Sequence, residues 1–425
     1  MNKERILGQH LTSTSIFKRF ILPKIKDKLK DYAWVDLYCG EGNLILPILE
    51  TIKTEERENF FSEHIFLFDS DSEMIEKAVQ NAIKLGISEE LARKNIKQHD
   101  SLASFPKIES KFPIFHITNP PYLYIGYIQK NAKQHLKYFQ DKNKGYQDLY
   151  QIALINDLKN NIEKSVYIIP SNFLFSSSGT NKIRRDFLQA YKITNAVIFE
   201  KKIFENTGTN VAIFWFEKKQ ENREPIKFTA LKITENREER REYTLTYENN
   251  YRAGSEFSEF CNNQNNNLRV NYYLMQSEVE KNSGNTEIEV INSNKYKNNK
   301  YSKEVIRVNE KLAAKIKNNI LFIRTVDSGS NLRAGLYEIK DEFKVDGILV
   351  SIPYRTNPIQ LFFTPELSIE QQIKLKDYFN SKLEELREKT DSEFMTTYKY
   401  SKAKYTRKYL GLSQVKKLIQ TFSLD

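Results

Sequence analysis

The sequence predicts an α/β fold: a mostly parallel sheet with an antiparallel hairpin at one edge, followed by a mixed α+β C-terminal domain. In the first half, short apolar runs alternate with segments of helical spacing, which is typical of parallel strands covered by helices on both faces. The last two runs, at residues 195–199 and 211–216, are joined by a segment too short for a crossover helix, which indicates the hairpin. After residue 216 the composition becomes highly charged, which marks a change of domain.

The other elements of the first half follow in order. Strands are predicted at residues 33–36, 65–68, 114–117 and 166–169, where β-branched and aromatic residues are concentrated. Between the second and third of these strands, residues 75, 78, 79, 82 and 83 are apolar and recur with helical spacing. Ser72 is placed to cap the start of this helix and Gly86 its end.

The length of 425 residues favours two domains. The charged stretch 217–225, which ends in Pro225, predicts a first domain of residues 1–220 and a second of residues 221–425. Twelve asparagines in the stretch 262–299 predict a polar, solvated insert in the second domain. Beyond it, residues 320–324 and 347–353 are expected to form strands, and residues 369–386 a helix.

The amino-acid composition favours some classes of protein function and argues against others. Lys and Arg number 66 against 55 Asp and Glu, and the net charge of +11 favours a polyanionic partner. No apolar run approaches the roughly 18 residues that cross a bilayer, and the N-terminus lacks the apolar stretch of a secretory signal. Cys39 and Cys261 lie far apart and the histidines form no cluster, so we expect neither a disulfide nor a metal site. These features predict a cytoplasmic protein that does not contact a membrane.

A glycine-containing loop follows the first predicted strand. In Asp36-Leu37-Tyr38-Cys39-Gly40-Glu41-Gly42, glycines allow a tight turn and close approach to a ligand. A dinucleotide site would need a third glycine where Ile45 stands, which argues against a pyrophosphate ligand. The loop instead suits an adenosyl group with an amino-acid tail, with Asp36 near the ammonium of that tail.

Two further aspartates end or follow strands. Asp69 is placed to accept both hydroxyls of a ribose, and Asp100 to accept a hydrogen bond from an adenine amine. Three acidic strand ends on one edge of a sheet predict a binding crevice. The alternative for each aspartate, taken singly, is that it caps a helix.

The tetrapeptide Asn119-Pro120-Pro121-Tyr122 directly follows the third strand. The lone pair of an aromatic amine is delocalised, and two acceptors, the Asn119 side-chain oxygen and the Pro120 carbonyl, would hold the amine hydrogens and turn the lone pair toward an electrophile. The prolines fix φ and remove competing N–H donors, and Tyr122 offers a face for a base to stack on. An ordinary Pro-Pro turn is the alternative if the tetrapeptide stood alone.

Taken together, these residues resemble the gamma-class amino-methyltransferases of DNA restriction-modification systems. The resemblance implies a Rossmann-like methyltransferase fold, S-adenosylmethionine as the cofactor, and methylation of adenine N6 on a base flipped out of duplex DNA. It implies that Thr12, at the end of the upstream motif 8–12, helps to hold the methionine moiety. The cofactor residues implied are Thr12, Asp36, Tyr38, Cys39, Gly40, Gly42, Asp69 and Asp100, and the catalytic residues are Asn119, Pro120, Pro121 and Tyr122. Phe204 falls where the family has a second aromatic beside the flipped base, although a core position is equally compatible with the sequence.

The second domain is expected to read the DNA sequence. Basic and aromatic residues are interleaved in 396–417, and the candidate phosphate contacts there are Lys399, Lys402, Lys404, Arg407 and Lys408. A solvated basic tail is the alternative. Asp327 with Glu342-Phe343-Lys344 loosely fits a metal-nuclease spacing, but such spacings are common by chance in a chain that is 28% charged.

The resulting hypothesis is a monomeric DNA methyltransferase that protects host DNA from a cognate restriction endonuclease. Two alternatives remain open at this level. One is an enzyme with the same Asn-Pro-Pro-Tyr chemistry that acts on an RNA base or on a protein glutamine. The other is a non-catalytic DNA-binding specificity subunit.

Overall fold

The chain forms two compact units, Met1–Ala253 and Gly254–Asp425, in the computed structural model. The structure describes residues 12–176, 179–201, 203–204, 210–220, 223–327, 333–352, 357–390, 395–400 and 406–424. It gives the side chains of all of these except 389–390, 395–400 and 406–409. Each unit has buried apolar clusters of its own.

A single large sheet forms the first unit. Its strands are β1 (Ala33–Asp36), β2 (Ile65–Asp69), β3 (Ile96–Gln98), β4 (Ile114–Thr118), β5 (Lys164–Pro170), β6 (Tyr191–Phe199), β7 (Val211–Lys218), β8 (Ile226–Ile233) and β9 (Glu238–Leu245). They are arranged in the order β3-β2-β1-β4-β5-β7-β6-β8-β9. Strands β1 to β5 pair in parallel, whereas β7 is antiparallel to both β5 and β6. The predicted α/β fold class is confirmed.

Helices connect the strands of the first unit. They are α1 (Thr14–Ile16), α2 (Leu22–Ile25), α3 (Arg57–His64), α4 (Ser72–Lys84), α5 (Glu89–Asn95), α6 (Ile125–Asn131), α7 (Leu149–Lys159), α8 (Asn172–Phe175) and α9 (Asn181–Leu188). The spacing-based helix prediction corresponds to α4, although its cap is Asp71, which accepts a hydrogen bond from Glu73 N, rather than Ser72. The glycine loop is followed by a 3-10 segment, Leu46–Thr51.

The centre of this sheet positions the site. On one side of β1 the sheet continues with β2 and then β3, and on its other side it continues with β4 and then β5. Where the strand order reverses in an open α/β sheet, a crevice forms beyond the carboxyl ends of the two central strands. Asp36 ends β1 and Asn119 directly follows β4, so both lie at that crevice.

The predicted hairpin exists but does not lie at the sheet edge. Strands β6 and β7 pair antiparallel as expected. However, β7 lies between β5 and β6, and β8 then pairs in parallel with β6 while β9 pairs antiparallel with β8. The domain boundary expected at residue 220 is therefore wrong, because the first unit continues through β8 and β9 to Ala253.

The second unit is mixed α+β. Its strands are β10 (Arg269–Tyr272), β11 (Leu274–Met275), β12 (Ser283–Lys297), β13 (Lys300–Val308), β14 (Leu321–Arg324), β15 (Gly335–Glu338), β16 (Gly347–Val350), β17 (Ile359–Thr364), β18 (Met395–Tyr400) and β19 (Thr406–Leu410). They form two four-stranded sheets, β10-β17-β14-β15 and β11-β16-β12-β13, and the pair β18-β19. Its helices are α10 (Glu256–Phe260), α11 (Gln276–Lys281), α12 (Glu310–Asn318), α13 (Ile339–Phe343), α14 (Ile369–Thr390) and α15 (Leu412–Ile419).

The asparagine-rich stretch is not a solvated insert. It contains β10, β11, α11 and β12, and Leu274, Ile288 and Val290 from it are buried in a hydrophobic cluster. Asparagines take structural positions in this stretch: Asn266, for example, donates to Ile419 O and Phe422 O at 3.0 and 2.7 Å. Amide side chains that satisfy backbone groups explain why a polar composition is compatible with a packed unit.

Within the described residues, no helix is long and apolar enough to cross a membrane. Of the residues with nuclease-like spacing, Asp327 and Glu342 pair with different arginines. Asp327 accepts hydrogen bonds from Arg387 Nη1 at 2.5 Å and Ala334 N at 2.8 Å, whereas Glu342 pairs with Arg324 at 3.7 Å.

Candidate functional site

A cavity lies at the point where the strand order of the first sheet reverses. The loops that follow four neighbouring parallel strands line it with Asp36, Asp69, Asp100 and Asn119. Of the sequence-predicted cofactor residues, the wall includes Thr12, Asp36, Tyr38, Cys39, Gly40, Asp69 and Asp100, while Gly42 lies outside it. Of the predicted catalytic residues, Asn119 and Pro121 line the cavity, and Pro120 and Tyr122 do not.

Asp36 is the most buried carboxylate of the cavity wall, at 1% exposure. Its Oδ1 accepts hydrogen bonds from Thr118 Oγ1 at 2.6 Å and from Tyr38 N at 3.0 Å. Burial raises the pKa of Asp36 to about 6, although the bond from Thr118 opposes that rise. Both hydrogen bonds end on Oδ1, so Oδ2 is available to a cationic ligand.

Gly42 shapes the loop without reaching the cavity. Its φ of +83° is left-handed, and a Cβ at this position would lie 2.5 Å from Leu46 Cδ1. Glycine is therefore required both by the backbone and by the packing of the following 3-10 segment.

A hydrogen bond to Asp69 holds the glycine loop against the end of β2. Its Oδ2 accepts from Gly40 N at 2.9 Å and its Oδ1 from Asp71 N at 2.9 Å. Burial raises the pKa of Asp69 despite these bonds. Each carboxylate oxygen has a second lone pair, so the carboxylate can still accept two hydroxyl hydrogens from a ligand.

Asp100 is less buried than the other two aspartates. Its Oδ2 accepts from Tyr138 Oη at 2.8 Å and from Lys137 Nζ at 3.2 Å, and its Oδ1 accepts from Ala103 N at 3.2 Å. Tyr138 and His135 also line the cavity. Sequence reasoning missed these two residues, because they lie in a 3-10 segment, Lys133–Phe139, that carries no motif.

Asn119 is held from two sides. Its Nδ2 donates to Thr12 Oγ1 at 2.8 Å, and its Oδ1 accepts from Tyr122 Oη. Thr12 is 5% exposed and lies 107 positions upstream in the chain. The residue at the end of the predicted upstream motif therefore contacts the predicted catalytic asparagine directly.

Tyr122 does not present an open ring face in this structure. It is 8% exposed, and its hydroxyl oxygen also lies 2.7 Å from Ile168 O, a second acceptor for its single hydrogen. Phe204 is likewise buried, at 6% exposure, and is not part of the cavity wall. The buried hydroxyl of Tyr122 finds partners in the core, which favours this orientation in the absence of a base.

The start of α7 supports the tetrapeptide loop from behind. Asp148 Oδ1 accepts from Leu123 N at 2.9 Å, Ile125 N donates to Gln147 O at 2.9 Å, and Leu149 lines the cavity. Burial raises the pKa of Asp148 to about 7. The sequence alone assigned no role to Asp148, because the bond that it makes depends on a loop 25 residues upstream.

A buried histidine lies beneath the glycine loop. Leu37 N donates to His116 Nε2 at 3.4 Å, and His116 Nδ1 is 2.8 Å from Asp157 Oδ2. Because Nε2 accepts, the proton of a neutral imidazole is on Nδ1, where it is donated to Asp157. His116 therefore connects β4, which leads to Asn119, both with the loop that follows β1 and with helix α7.

Several predicted residues fall outside what the structure describes. Residues 8–11 of the upstream motif, Lys402 and Lys404 are among them. Lys399 lies in β18 and Arg407 and Lys408 in β19, but their side chains are outside the described part. No group of three or more His, Cys, Asp or Glu side chains suited to a metal ion occurs within the described ranges.

In comparisons with known proteins, the model of the N-6 DNA methylase family matches residues 2–311. No curated protein sequence matches the chain. Among solved structures, a type IIL restriction-modification enzyme, MmeI, in complex with DNA is 13% identical, with 88% of this chain and 65% of that chain covered and a TM-score of 0.48.

Two type I proteins are also similar. The methyltransferase subunit of a type I restriction-modification system from Streptococcus thermophilus is 17% identical, with 53% of this chain and 48% of that chain covered and a TM-score of 0.37. The M protein of the type I restriction enzyme EcoKI is 13% identical, with 53% and 49% covered and a TM-score of 0.38. The chain thus spans about half the length of the type I subunits that it matches.

Proposed function

The chain belongs to the N-6 DNA methylase family, and from this premise we propose that it methylates N6 of specific adenines in duplex DNA, with S-adenosylmethionine as the methyl donor. The observation that carries the proposal is that Asn119 shares one cavity with Asp36, Asp69 and Asp100. An amide acceptor for an amine and a set of carboxylates for an adenosyl ligand thus face the same space.

The residues of the cavity fit S-adenosylmethionine. When bound, this cofactor supplies an electrophilic methyl group on a sulfonium centre. The free Oδ2 of Asp36 suits the ammonium of the amino-acid tail, and the remaining lone pairs of Asp69 suit the ribose hydroxyls. Asp100 is the acceptor at the adenine end, and apolar side chains such as Leu44 and Leu102 complete the wall.

Asn119 and Pro120 would position the adenine amine. Two acceptors that hold both N6 hydrogens turn the nitrogen lone pair out of the ring plane, which makes an otherwise weak nucleophile able to attack. Catalysis is then mainly a matter of position and orientation, and no activated serine, cysteine or lysine is required. Asp148, through Leu123, and Thr12, through Asn119, would hold the loop in that position.

The target base would stack on Tyr122, with Phe204 as the candidate on its other face. Since Tyr122 Oη now donates to Asn119 Oδ1, entry of a base would have to exchange one hydrogen bond for another. The amine hydrogen takes over the acceptor on Asn119, and the aromatic ring becomes available for stacking. Extrusion of the base costs a few kcal/mol, which stacking and the new hydrogen bonds offset.

The biological role proposed is protection of host DNA against a cognate restriction endonuclease, with the second unit as the part that reads the sequence. Lys399, Lys402, Lys404, Arg407 and Lys408 remain the proposed phosphate contacts of the C-terminal part. The chain would act on DNA as a monomer. Methylation of an RNA base or a protein glutamine by the same loop is the competing enzymatic proposal.

The test is to express the chain in a methylation-free host and map modified adenines by single-molecule sequencing. We expect methylation at one sequence motif with the wild type and none with Asn119→Ala, while S-adenosylmethionine binding is retained. Asn131→Ala, an exposed asparagine on α6, is the matched control and should methylate normally. Unmodified DNA with the wild type, or normal methylation with Asn119→Ala, would contradict the proposal.

A further inference from the structure

The hairpin of β12 and β13 continues past the part of β12 that pairs with β16. Strand β16 pairs with β12 only at Val290, Ile291 and Asn292. Beyond Asn292, and among the described residues, β12 pairs with β13 alone, and the two continue to the pair Lys297–Lys300. Residues 293–301, here called the ribbon, therefore form the two-stranded end of this hairpin.

The base of the ribbon is fixed by asparagine side chains. The register of β12 against β13 shifts between Asn292 and Tyr296, which marks a bulge. Within it, Asn294 Oδ1 accepts from Ser351 N at 2.9 Å and from Ile352 N at 3.2 Å, and Asn292 Nδ2 donates to Ser351 Oγ at 2.8 Å. The direction of the ribbon is therefore set by hydrogen bonds to the neighbouring chain segment.

The tip is a tight two-residue turn. Asn298 and Asn299 have φ values of 49° and 59°, both in the left-handed region that a type I′ turn requires. Asparagine adopts this conformation more readily than other residues with a side chain. The ribbon thus ends in a defined turn, with its two flanking lysines on opposite strands.

The charged side chains of the ribbon are all positive. Residues 293–301 contain Lys295, Lys297 and Lys300 and no acidic residue, and Lys303 lies opposite Ile291 at the base of the ribbon. Lys297 and Lys300 are exposed and stand directly opposite each other across the strands, an arrangement of like charges that destabilises a hairpin. Lys295 and Lys303 have partners, at Glu304 and at the Lys344 carbonyl. The tip pair is therefore a feature that the fold itself does not need.

An aromatic surface accompanies the lysines. The ring of Tyr296 is 50% exposed and lies 4.6 Å from that of Tyr301, which in turn packs against Phe343. A rigid, half-exposed tyrosine beside lysines suits contact with the sugar-phosphate backbone, which accepts hydrogen bonds and offers apolar sugar faces.

We propose that the ribbon is a DNA-contacting element that enters a groove of the duplex tip first, with Lys297 and Lys300 on phosphates. A two-stranded β-ribbon is one of the two elements that the major groove of B-DNA admits. The inference rests on the proposed function, since it takes duplex DNA to be the substrate. The competing explanation is that these lysines only prevent exposed strands from pairing with another chain.

Lys297→Gln/Lys300→Gln in the full chain tests the inference. Binding to a short labelled DNA duplex of mixed sequence is followed by fluorescence anisotropy over a range of salt concentrations. Log K falls linearly as log salt rises, and each lost phosphate contact makes this slope less steep by about 0.9. For the variant we therefore expect a slope that is less steep by about 2, and binding that is about 10- to 30-fold weaker at physiological salt. The matched control is Lys311→Gln/Lys317→Gln, which removes the same charge from exposed positions of α12.

The outcomes separate the two proposals. A ribbon variant that binds like the control, with an unchanged salt slope, overturns the inference and leaves the proposed function intact. A wild-type chain that does not bind duplex DNA overturns both. Since the exchanged side chains are exposed and a like-charge pair is removed, the melting temperature of the variant should be no lower than that of the wild type. Lys297→Arg/Lys300→Arg keeps the charge and should bind like the wild type; weak binding by this variant would also contradict the inference.

Discussion

Acidification should weaken the binding of S-adenosylmethionine, because it protonates the carboxylate of Asp36. Burial raises the pKa of this carboxyl to about 6 from an ordinary value of 3.8. Only about one carboxyl in ten is then ionised at about pH 5, whereas nearly all are ionised at about pH 8. If the ammonium of the cofactor pairs with the carboxylate, its apparent affinity should fall about 10-fold over that range.

The same pKa shift predicts an opposite effect on the stability of the ligand-free protein. Because the folded pKa lies above the unfolded one, the folded state holds more protons between them, so stability falls as pH rises from about 4 to about 6. A difference of about 2 in pKa corresponds to about 3 kcal/mol, which is the cost of the ionised carboxylate above this window. Asp36→Asn keeps an oxygen for Thr118 and for Tyr38 N, and removes that cost.

Two measurements check the reasoning. Calorimetric titration with S-adenosylmethionine between about pH 5 and pH 8 should show the 10-fold loss for the wild type and weak, pH-independent binding for Asp36→Asn. Thermal unfolding near neutral pH without ligand should show a higher melting temperature for Asp36→Asn. Wild-type affinity that stays constant over this range, or the same pH dependence in the variant, would refute the role of Asp36.

Three further substitutions test the neighbouring contacts. Gly42→Ala places a side chain at a left-handed position and should lower the free energy of unfolding by about 1–3 kcal/mol, measured in urea; unchanged stability would contradict the packing described. Thr12→Val removes the acceptor for the Asn119 amide and should lower kcat about 10- to 100-fold, with Thr12→Ser active; equal kcat for Thr12→Val would show that the contact is not used. Asp148→Ala leaves Leu123 N unsatisfied and should cost about 1–3 kcal/mol of stability, whereas Asp148→Asn should cost less; similar losses for both would count against this hydrogen bond.

The parallel half of the sheet was predictable because its strands are apolar on both faces. All six strands that we expected in the first half are present, as is helix α4. Strand β3 was missed because it has only three residues, two of them exposed. Strands β8 and β9 were missed because they follow a charged stretch that resembled a linker, and because β9 itself begins with a run of charged residues.

The candidate site was predictable where a residue acts from the end of a strand. Asp36, Asp69, Asp100 and Asn119 meet in one cavity as expected, since parallel strands bring their carboxyl ends to one edge. The bond between Thr12 and Asn119 was not predictable, because it joins segments far apart in the chain. Nor was the buried orientation of Tyr122, which depends on a carbonyl of β5.

Strand β8 has a practical consequence for anyone who wishes to study the first unit alone. A fragment cut at residue 220 would strip β6 of the neighbour that pairs with residues 196–199, and a row of bare amide and carbonyl groups would face solvent. Such an open border recruits strands from other molecules, so the fragment would be prone to precipitate. Cutting after Ala253 keeps that border closed and is the sensible place to divide the gene product.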